Sequence, residues 1–449
     1  MTVNIYLLLI SGLYLSFILM FYLLDRRHNN DTFSAVKLIA YFACIELFVL
    51  VWFSIDSNSI EELIFEPLAL VFRDMQLVYL AYFFSIIIYF SVSVGAFFGS
   101  YGTGRMPLLI DKLFLHSRAI GRKHGLFLGI FLYALGVILF LFFLKQLGGL
   151  TSILTWPQYG LSTKTAGLGY LQTAYNLLTM LGIFLIYAAI AKKRQWLLLT
   201  VFIIGAVFML AVLGQRTPVG TMVFAILLIH HYNVKNIRNI LSIKMGVLVI
   251  LMVSFLFFFL QVRGGGTNQF KIDVIQRLGV IERQVVVIGY FNEHDFWYGG
   301  LYESLLHAYK LRSSFPDKPP IDTGVYLYTI RQDVVIHPPV PFNSLEQNSW
   351  PDGYLAGYMS FGFIGLILVS VISGLVFGFF YRLVLLSNFA TGPIIFYGLL
   401  GFMGAKPLSP YWITQLLFII ILVSMIGFFS SLSIVNKKIL KHNLNPANE

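Results

Sequence analysis

Cysteine and charge are both scarce in this sequence. Its single cysteine, Cys44, lies in an apolar stretch, so neither a disulfide framework nor a cysteine metal site can form within the chain. Charged residues make up 11% of the 449 positions, whereas hydrophobic residues make up 58% and the mean hydropathy is +0.80. A soluble core and surface need fewer apolar and more charged residues. We therefore predict that lipid is the solvent of most of the chain.

Long apolar runs define the predicted membrane spans. The hydrocarbon core of a bilayer is roughly 30 Å thick, so a helical span takes about 17 to 25 apolar residues. The first run has no basic segment before it and no small-residue cleavage site after it, which favours a retained span over a signal peptide. We predict an all-α polytopic membrane protein with about eleven transmembrane helices. The predicted spans are 4–24, 35–55, 76–98, 125–145, 168–191, 196–214, 217–234, 244–261, 353–381, 389–405 and 411–435.

The net charge of +11 follows the membrane topology. Lys and Arg crowd the loops at one end of the spans, whereas the acids of residues 56–74 collect at the other end. The positive-inside rule then predicts an external N-terminus and a cytoplasmic C-terminus. Because the basic residues are spread over many loops and form no single soluble face, no nucleic-acid partner is expected. The basic loops contain Arg26, Arg27, Lys37, Arg105, Lys112, Arg118, Arg122, Lys123, Lys192, Lys193, Arg194, Lys235, Arg238, Lys244, Arg382, Lys437, Lys438 and Lys441.

Residues 262–352 form one long external loop between predicted spans. A structureless loop of this length would be unusual. Residues 270–312 have helix-like apolar spacing, whereas 313–351 are rich in Pro, Asp and Asn and are expected to be extended and turned. We predict a small, partly helical subdomain that lies over the membrane. The expected organisation is a membrane domain at 1–261, the loop subdomain at 262–352, and a second membrane domain with a cytoplasmic tail at 353–449.

Arginines at the external membrane face are candidates for binding an anion. Arg216 stands in the tightest turn between two spans, and Arg263 leaves the next span immediately before three glycines. A fixed guanidinium can grip a phosphate or carboxylate with two parallel hydrogen bonds. Arg277 and Arg283 follow on the predicted loop helix. The alternative for Arg216 is a side chain that snorkels to the membrane interface, and the alternative for each of the other arginines is an ordinary solvated charge.

Candidate bases lie on the same external side. Glu303 and His307 are four residues apart and would share one face of a helix. Either group could accept a proton from a sugar hydroxyl. Asp352 lies at the mouth of a span, where it could equally be an ordinary helix cap. No cluster of His, Asp and Glu has metal-ligand spacing. Glu46 lies in the middle of the second span and is expected to have a partner inside the bundle.

Several motifs resemble the Wzy-type polymerases, which join lipid-linked oligosaccharide repeat units in O-antigen and enterobacterial common antigen synthesis. They occur in the family's order over most of the chain. The motifs are Gly148-Gly149-Leu150, Gly214-Gln215-Arg216-Thr217, the arginine that leaves the following span, Tyr298-Gly299-Gly300-Leu301-Tyr302, Phe315-Pro316-Asp317-Lys318-Pro319, Gly353-Tyr354-Leu355, and Tyr358-Met359-Ser360-Phe361-Gly362-Phe363-Ile364-Gly365.

This resemblance implies a GT-C-like architecture in a bacterial inner membrane and a glycosyl transfer at its periplasmic face. The donor would be a growing glycan on undecaprenyl diphosphate, and the acceptor would be a newly flipped lipid-linked repeat unit. No cofactor and no metal are implied, since fixed guanidinium groups can stabilise the charge that develops on the leaving diphosphate. A Wzz-type co-polymerase that controls chain length is implied as a partner, beside the membrane lipid.

The resemblance and the local chemistry together suggest a role for each candidate residue. Arg216 and Arg263 would clamp the diphosphate, with Arg277 and Arg283 as further substrate-binding cations. Asp352, Glu303 or His307 would act as the base or position the acceptor. The expected sugar platforms are Trp297, Tyr298, Tyr302, Trp350 and Tyr354. The alternative for each aromatic residue is the ordinary aromatic belt of a membrane interface.

Three other functions fit parts of the pattern. An O-antigen ligase would use similar chemistry with a lipid A-core acceptor. A lipid-linked oligosaccharide flippase would be expected to have more spans in two similar halves, and no internal repeat is evident here. A non-enzymatic scaffold for envelope assembly would need none of the external arginines for activity.

Overall fold

Most of the residues that the computed structural model describes are helical, and none of them is in a strand. These are residues 4–55, 75–102, 122–150, 168–191, 195–211, 216–234, 281–310, 314–315, 317–332, 334–346, 349–350, 353–387, 391–401, 408–417 and 420. The helices are α1 (Ile5–His28), α2 (Ala35–Ile55), α3 (Met75–Tyr101), α4 (Arg122–Gln146), α5 (Gly169–Ile190), α6 (Trp196–Ala211), α7 (Arg216–Ile229), α8 (Ile281–Glu293), α9 (Gly300–Glu303), α10 (Thr323–Ile330), α11 (Leu355–Leu386) and α12 (Thr391–Gly401).

Five of these helices, α1, α3, α4, α5 and α11, are long and apolar enough to cross a membrane. Helices α6 and α12 are apolar but shorter. The prediction of a helical membrane protein is therefore confirmed at this level. The predicted span 244–261 and most of the predicted span 411–435 lie outside the described residues.

Glycines allow α3 and α11 to pack with their backbones in contact. A Cβ atom on Gly95 would lie within 3.0 Å of the backbone of Val371 and Leu375, and one on Gly374 would meet Val92 and Ala96 as closely. Residue numbers rise together along this contact, so the two helices run parallel. Helix pairs with a small residue every fourth position pack in this way in lipid, where the hydrophobic effect supplies no attraction between helices.

The helix ends fall on two opposite faces of the bundle. At one end, the backbone N–H of Asn4 donates to the carbonyl of Ser54, joining the start of α1 to the end of α2. At the other end, the Tyr101 hydroxyl donates to Asp25 Oδ1 at 2.7 Å, and Lys37 Nζ lies 3.3 Å from Asp25 Oδ2. We call the first end the loop face and the second the opposite face. This alternation is the one expected of consecutive spans.

A buried polar network closes the opposite face around Asp31, in the turn between α1 and α2. Its carboxylate accepts hydrogen bonds from Tyr232 at 2.7 Å and Tyr381 at 2.9 Å, and lies 3.1 Å from His231 Nε2. Burial alone would raise the pKa of Asp31, but the hydrogen bonds from His231, Tyr232 and the Phe33 backbone outweigh it and lower the pKa. His231 and Tyr232 belong to a π-helical turn, His230–Val234, that ends α7. The network thus ties three parts of the bundle together.

Helix α11 corresponds to the predicted span 353–381 and is long and apolar enough to cross a membrane, but it is broken near its start and is not one continuous helix. Phe361 and Gly362 have non-helical backbone angles, and Gly362 has φ +62° and ψ −147°, a region open essentially only to glycine. Gly357 and Gly365 lie so close that a Cβ atom on either one would come within 3.0 Å of the other's backbone. In a straight helix residues eight apart are separated by about 12 Å. The chain therefore doubles back at Phe361 and Gly362, and residues 355–360 form a short hairpin arm.

Part of the long loop lies inside the bundle, not over it. The Gln284 side chain of α8 donates to Ser85 Oγ at 3.0 Å. Ser85 is ten residues from Met75, the start of α3, which corresponds to a depth of about 15 Å. In addition, α10 covers residues 323–330, which the sequence predicts to be extended. Its N-cap Asp322 accepts a hydrogen bond from the Gly324 N–H at 3.0 Å and starts this helix.

Candidate functional site

Helix α8 carries charged side chains into the interior of the protein. Glu282, Arg283 and Gln284 are consecutive in its first turn and are 8%, 7% and 1% exposed. Ionised groups are rarely buried without partners, because removing them from water is costly. Arg283 is one of the predicted substrate-binding residues, and the structure places it within the bundle and not on a water-exposed loop.

A second arginine, Arg331, joins this region and was not predicted from the sequence. It follows α10, and its guanidinium carbon lies 5.2 Å from the ring centre of Trp350 and 5.6 Å from that of Tyr328. A guanidinium at such a distance from an aromatic ring is attracted by the negative face of the ring. The Trp350 backbone is held in place, since its N–H donates to the Gly324 carbonyl at 3.0 Å. Trp350, a predicted sugar platform, is thus half-buried beside a cation.

The charges of Arg283 and Arg331 act on the same carboxylate. Burial raises the pKa of Glu282, while the positive charges of Arg331 and Arg283 act against that rise. Both guanidinium groups are therefore near Glu282. We call Glu282, Arg283 and Arg331 the arginine cluster; with both arginines charged and Glu282 ionised, it carries a net positive charge. Glu282 and Arg283 are buried, whereas Arg331 is half-buried, and a cluster of this charge is suited to an anionic ligand.

The predicted sugar platforms fall into different environments. Trp297 is 5% exposed and packs against Tyr290, Phe291 and Tyr326, so the structure places it in the core and contradicts its role as an open platform. Tyr298 is 73% exposed and has a positive φ of 44°.

The other two predicted platforms lie near the spans. Tyr302 is half-buried and donates to the Leu408 carbonyl at 3.3 Å. Tyr354 lies half-buried immediately before α11. These two residues, together with Tyr298 and Trp350, keep some exposed surface that a ligand could contact.

Glu303 and His307 do not form the predicted helical pair. Helix α9 ends at Glu303, and a 3₁₀ turn follows from Ser304 to His307. Because a 3₁₀ turn aligns residues three apart, the spacing of four no longer places both side chains on one face. Glu303 is exposed, and His307 Nδ1 lies 3.1 Å from Lys310 Nζ. An ammonium group can only donate, so Lys310 Nζ donates to His307 Nδ1 in this contact.

Four predicted site residues have side chains outside the described part of the chain. Arg263, Arg277 and Asp352 lie outside the described residues, and so does the side chain of Arg216, whose backbone begins α7. Within the described ranges, no group of three or more His, Cys, Asp or Glu residues is arranged to hold a metal ion. Of the predicted cations, the described residues place Arg283, and they add Glu282 and Arg331, which were not predicted, to the same cluster.

Comparison with known proteins gives no family for this chain. No family profile, curated protein or solved structure matches it.

Proposed function

We propose that this protein is a glycosyltransferase that joins undecaprenyl-diphosphate-linked oligosaccharide repeat units into O-antigen or a related surface polysaccharide. The arginine cluster carries the proposal. It places guanidinium groups among aromatic residues within a helical membrane protein, and a lipid-linked glycosyl diphosphate presents the matching features: an apolar tail, an anion and a sugar. The motif resemblance to Wzy-type polymerases supports the same substrate class.

The reaction would be an exchange of one glycosidic bond for another. A hydroxyl of the acceptor repeat unit would attack the anomeric carbon of the donor glycan, and the bond from that carbon to the diphosphate would break. The hydroxyl proton would pass to a base, for which Asp352, Glu303 and His307 are the candidates. Negative charge develops on the departing diphosphate, and guanidinium groups fixed nearby stabilise it more in the transition state than in the ground state.

In this proposal the arginines bind the leaving diphosphate and an aromatic residue binds the sugar. Arg283 and Arg331 would contact the diphosphate, together with the predicted clamps Arg216 and Arg263. Trp350 would serve as a sugar platform beside Arg331. The transfer would need no metal or cofactor, and it would occur at the periplasmic face of a bacterial inner membrane. The loop face would then be periplasmic, and a chain-length-regulating co-polymerase would be a partner.

The proposal is tested by deleting the gene and complementing it with variants whose membrane abundance matches that of the wild type. Lipopolysaccharide is then resolved on a gel. Wild type should restore a ladder, whereas Arg283→Ala, Arg331→Ala, Arg216→Ala and Arg263→Ala should leave core plus one repeat. Removing one fixed donor to a developing charge typically lowers the rate about 10² to 10³-fold. Lys145→Ala removes an exposed cation at the end of α4 and should leave the ladder intact.

Each other outcome has a defined meaning. If the deletion strain keeps its ladder, the polymerase proposal is wrong. If the deletion strain attaches no repeat unit to core at all, the protein is a ligase or a flippase and the polymerase proposal is wrong. If Arg283→Ala and Arg331→Ala both restore full ladders, the arginine cluster does not bind the diphosphate. Arg331→Lys separates charge from stacking, since lysine keeps the charge but lacks the planar group that lies against Trp350.

A further inference from the structure

An acidic side chain lies near the middle of α2. Glu46 is nine residues from Ile55, the end of that helix, or about 14 Å along its axis. An acidic group at such a depth is costly and is normally held by polar partners inside the protein. Two hydroxyl groups donate to it: Tyr14 lies 3.1 Å from Oε2 and Ser85 Oγ lies 2.5 Å from Oε1. The carboxylate therefore connects α1, α2 and α3.

Ser85 extends this connection to the long loop. Its Oγ accepts a hydrogen bond from Gln284 Nε2 at 3.0 Å, and both residues are buried, at 3% and 1% exposure. A serine hydroxyl has one hydrogen to donate. The contact with Glu46 at 2.5 Å is shorter than the alternative contact with Gln284 Oε1 at 3.2 Å, so the hydrogen points to the carboxylate. Because the Ser85 hydrogen is donated to Glu46, the lone pairs of Ser85 Oγ face the Gln284 amide and can accept its hydrogen bond.

Gln284 directly follows Arg283 in the first turn of α8. We propose that Glu46 is a positioning residue that acts through Ser85 and Gln284 to hold α8, and with it the Arg283 backbone, at its depth in the bundle. The importance of Arg283 rests on the proposed function. The position of α8 can be measured without any assumption about activity.

Cysteine accessibility gives that measurement, because the chain has only Cys44 to remove. In a Cys44→Ser background, Val287→Cys places a thiol at a fully buried position of α8, at 0% exposure. Asn292→Cys places one at an exposed position of the same helix. The full-length protein in micelles is treated with a small maleimide, and the rate of modification is followed for each reporter.

Glu46→Leu and Ser85→Ala should each make Val287→Cys react about five- to tenfold faster, since the loss of a buried hydrogen bond favours local opening by about that factor. Glu46→Gln should keep the slow rate, because its amide oxygen still accepts the serine hydroxyl. Tyr82→Phe is the matched control. The Tyr82 hydroxyl is buried near Glu46 and has no hydrogen-bond partner within the described residues. Asn292→Cys should react equally fast in every variant.

The outcomes separate this inference from the proposed function. Should Ser85→Ala leave Val287→Cys as slow as the background, Glu46 does not position α8, whatever the activity of the protein. Ser85→Ala removes one hydroxyl only, so an unchanged slow rate in this variant refutes the inference even where Glu46→Leu fails to fold. Should the labelling change as expected while wild type makes no polymer, positioning stands and the proposed function falls. With both intact, Glu46→Leu should lower polymer formation and Glu46→Gln should restore it.

Discussion

Substitution of Gly374 by alanine tests whether the α3–α11 contact holds the bundle together. A Cβ atom at this position would lie 2.9 Å from the Ala96 nitrogen and closer still to the Val92 carbonyl oxygen, whereas ordinary contact begins at 3.4 Å. Both neighbours are backbone atoms, so no side chain can rotate away. The Val92 oxygen would lie 2.1 Å from this Cβ atom, so the helices would have to separate by about 1 Å, and the packing on both sides of the contact would loosen with them.

A matched glycine isolates the packing effect. Gly12 lies inside α1, and a Cβ atom there would meet nothing within 4 Å. Both substitutions gain the higher helix propensity of alanine, about 1 kcal/mol. Only Gly374→Ala adds overpacking, which typically costs about 1–3 kcal/mol. We expect Gly374→Ala to be less stable than Gly12→Ala by about 1–3 kcal/mol.

Reversible unfolding in mixed micelles measures this difference. The two variants are titrated with denaturing detergent while helix content is followed by circular dichroism. Equal midpoints, corresponding to a difference below about 0.5 kcal/mol, would show that the α3–α11 contact either adapts freely or is absent.

Three further predictions concern charged side chains. Asp31→Asn should lower the melting temperature at neutral pH. The hydrogen bonds that lower the pKa of Asp31 are lost on protonation, so the difference in melting temperature between the two proteins should shrink as the pH falls below 3.8. A difference that stays the same at every pH would contradict this. Asp322→Ala should destabilise by about 0.5–2 kcal/mol through loss of the α10 cap, while Asp322→Ser should recover most of it in thermal melts. Burial raises the pKa of Glu282, so the folded protein takes up a proton at a higher pH than the unfolded chain does, and the melting temperature of the wild type should rise as the pH falls towards 4.5. In the same thermal melts, Glu282→Gln should have a melting temperature that changes less with pH.

Hydropathy predicts the positions of several long helices closely. The apolar runs 4–24, 35–55 and 168–191 correspond to helices Ile5–His28, Ala35–Ile55 and Gly169–Ile190. The run at 353–381 corresponds to α11, but it gives no sign of the break in that helix, for a physical reason. Hydropathy measures transfer of side chains to lipid and carries no information on backbone angles, so it cannot detect a reversal at Gly362.

The sequence contains a glycine pattern that indicates the close packing of α3 on α11. Glycines at 95 and 99, and again at 374 and 378, each lie four residues apart within apolar runs. That spacing is the known pattern for close helix contact in membranes. The parallel direction and the pairing of these two segments, by contrast, depend on tertiary structure.

The candidate site was predictable only in part. Arg283 could be selected because it follows a membrane span in an apolar helical pattern. Arg331 lies in a polar turn, and it becomes a candidate only because the fold brings it to Trp350, nineteen positions later. Glu303 and His307 were selected on helical spacing, but the α-helix ends at Glu303, so the spacing lost its meaning.

Under the proposed function, the depth of α8 would strengthen the effect of Arg283 on a diphosphate. Two unit charges 4 Å apart interact by about 1 kcal/mol in water but by about 4 kcal/mol at the effective dielectric constant of a site near a protein surface. An arginine on a loop above the membrane would therefore contribute little. Contacts on two sides retain α8 below the loop face: Gln284 bonds to Ser85, and the Phe291 ring packs against Tyr358 of the hairpin arm, 6.3 Å away between ring centres. The long loop thus contributes a helix to the interior of the bundle, where the buried guanidinium of Arg283 would have its largest effect on an anion.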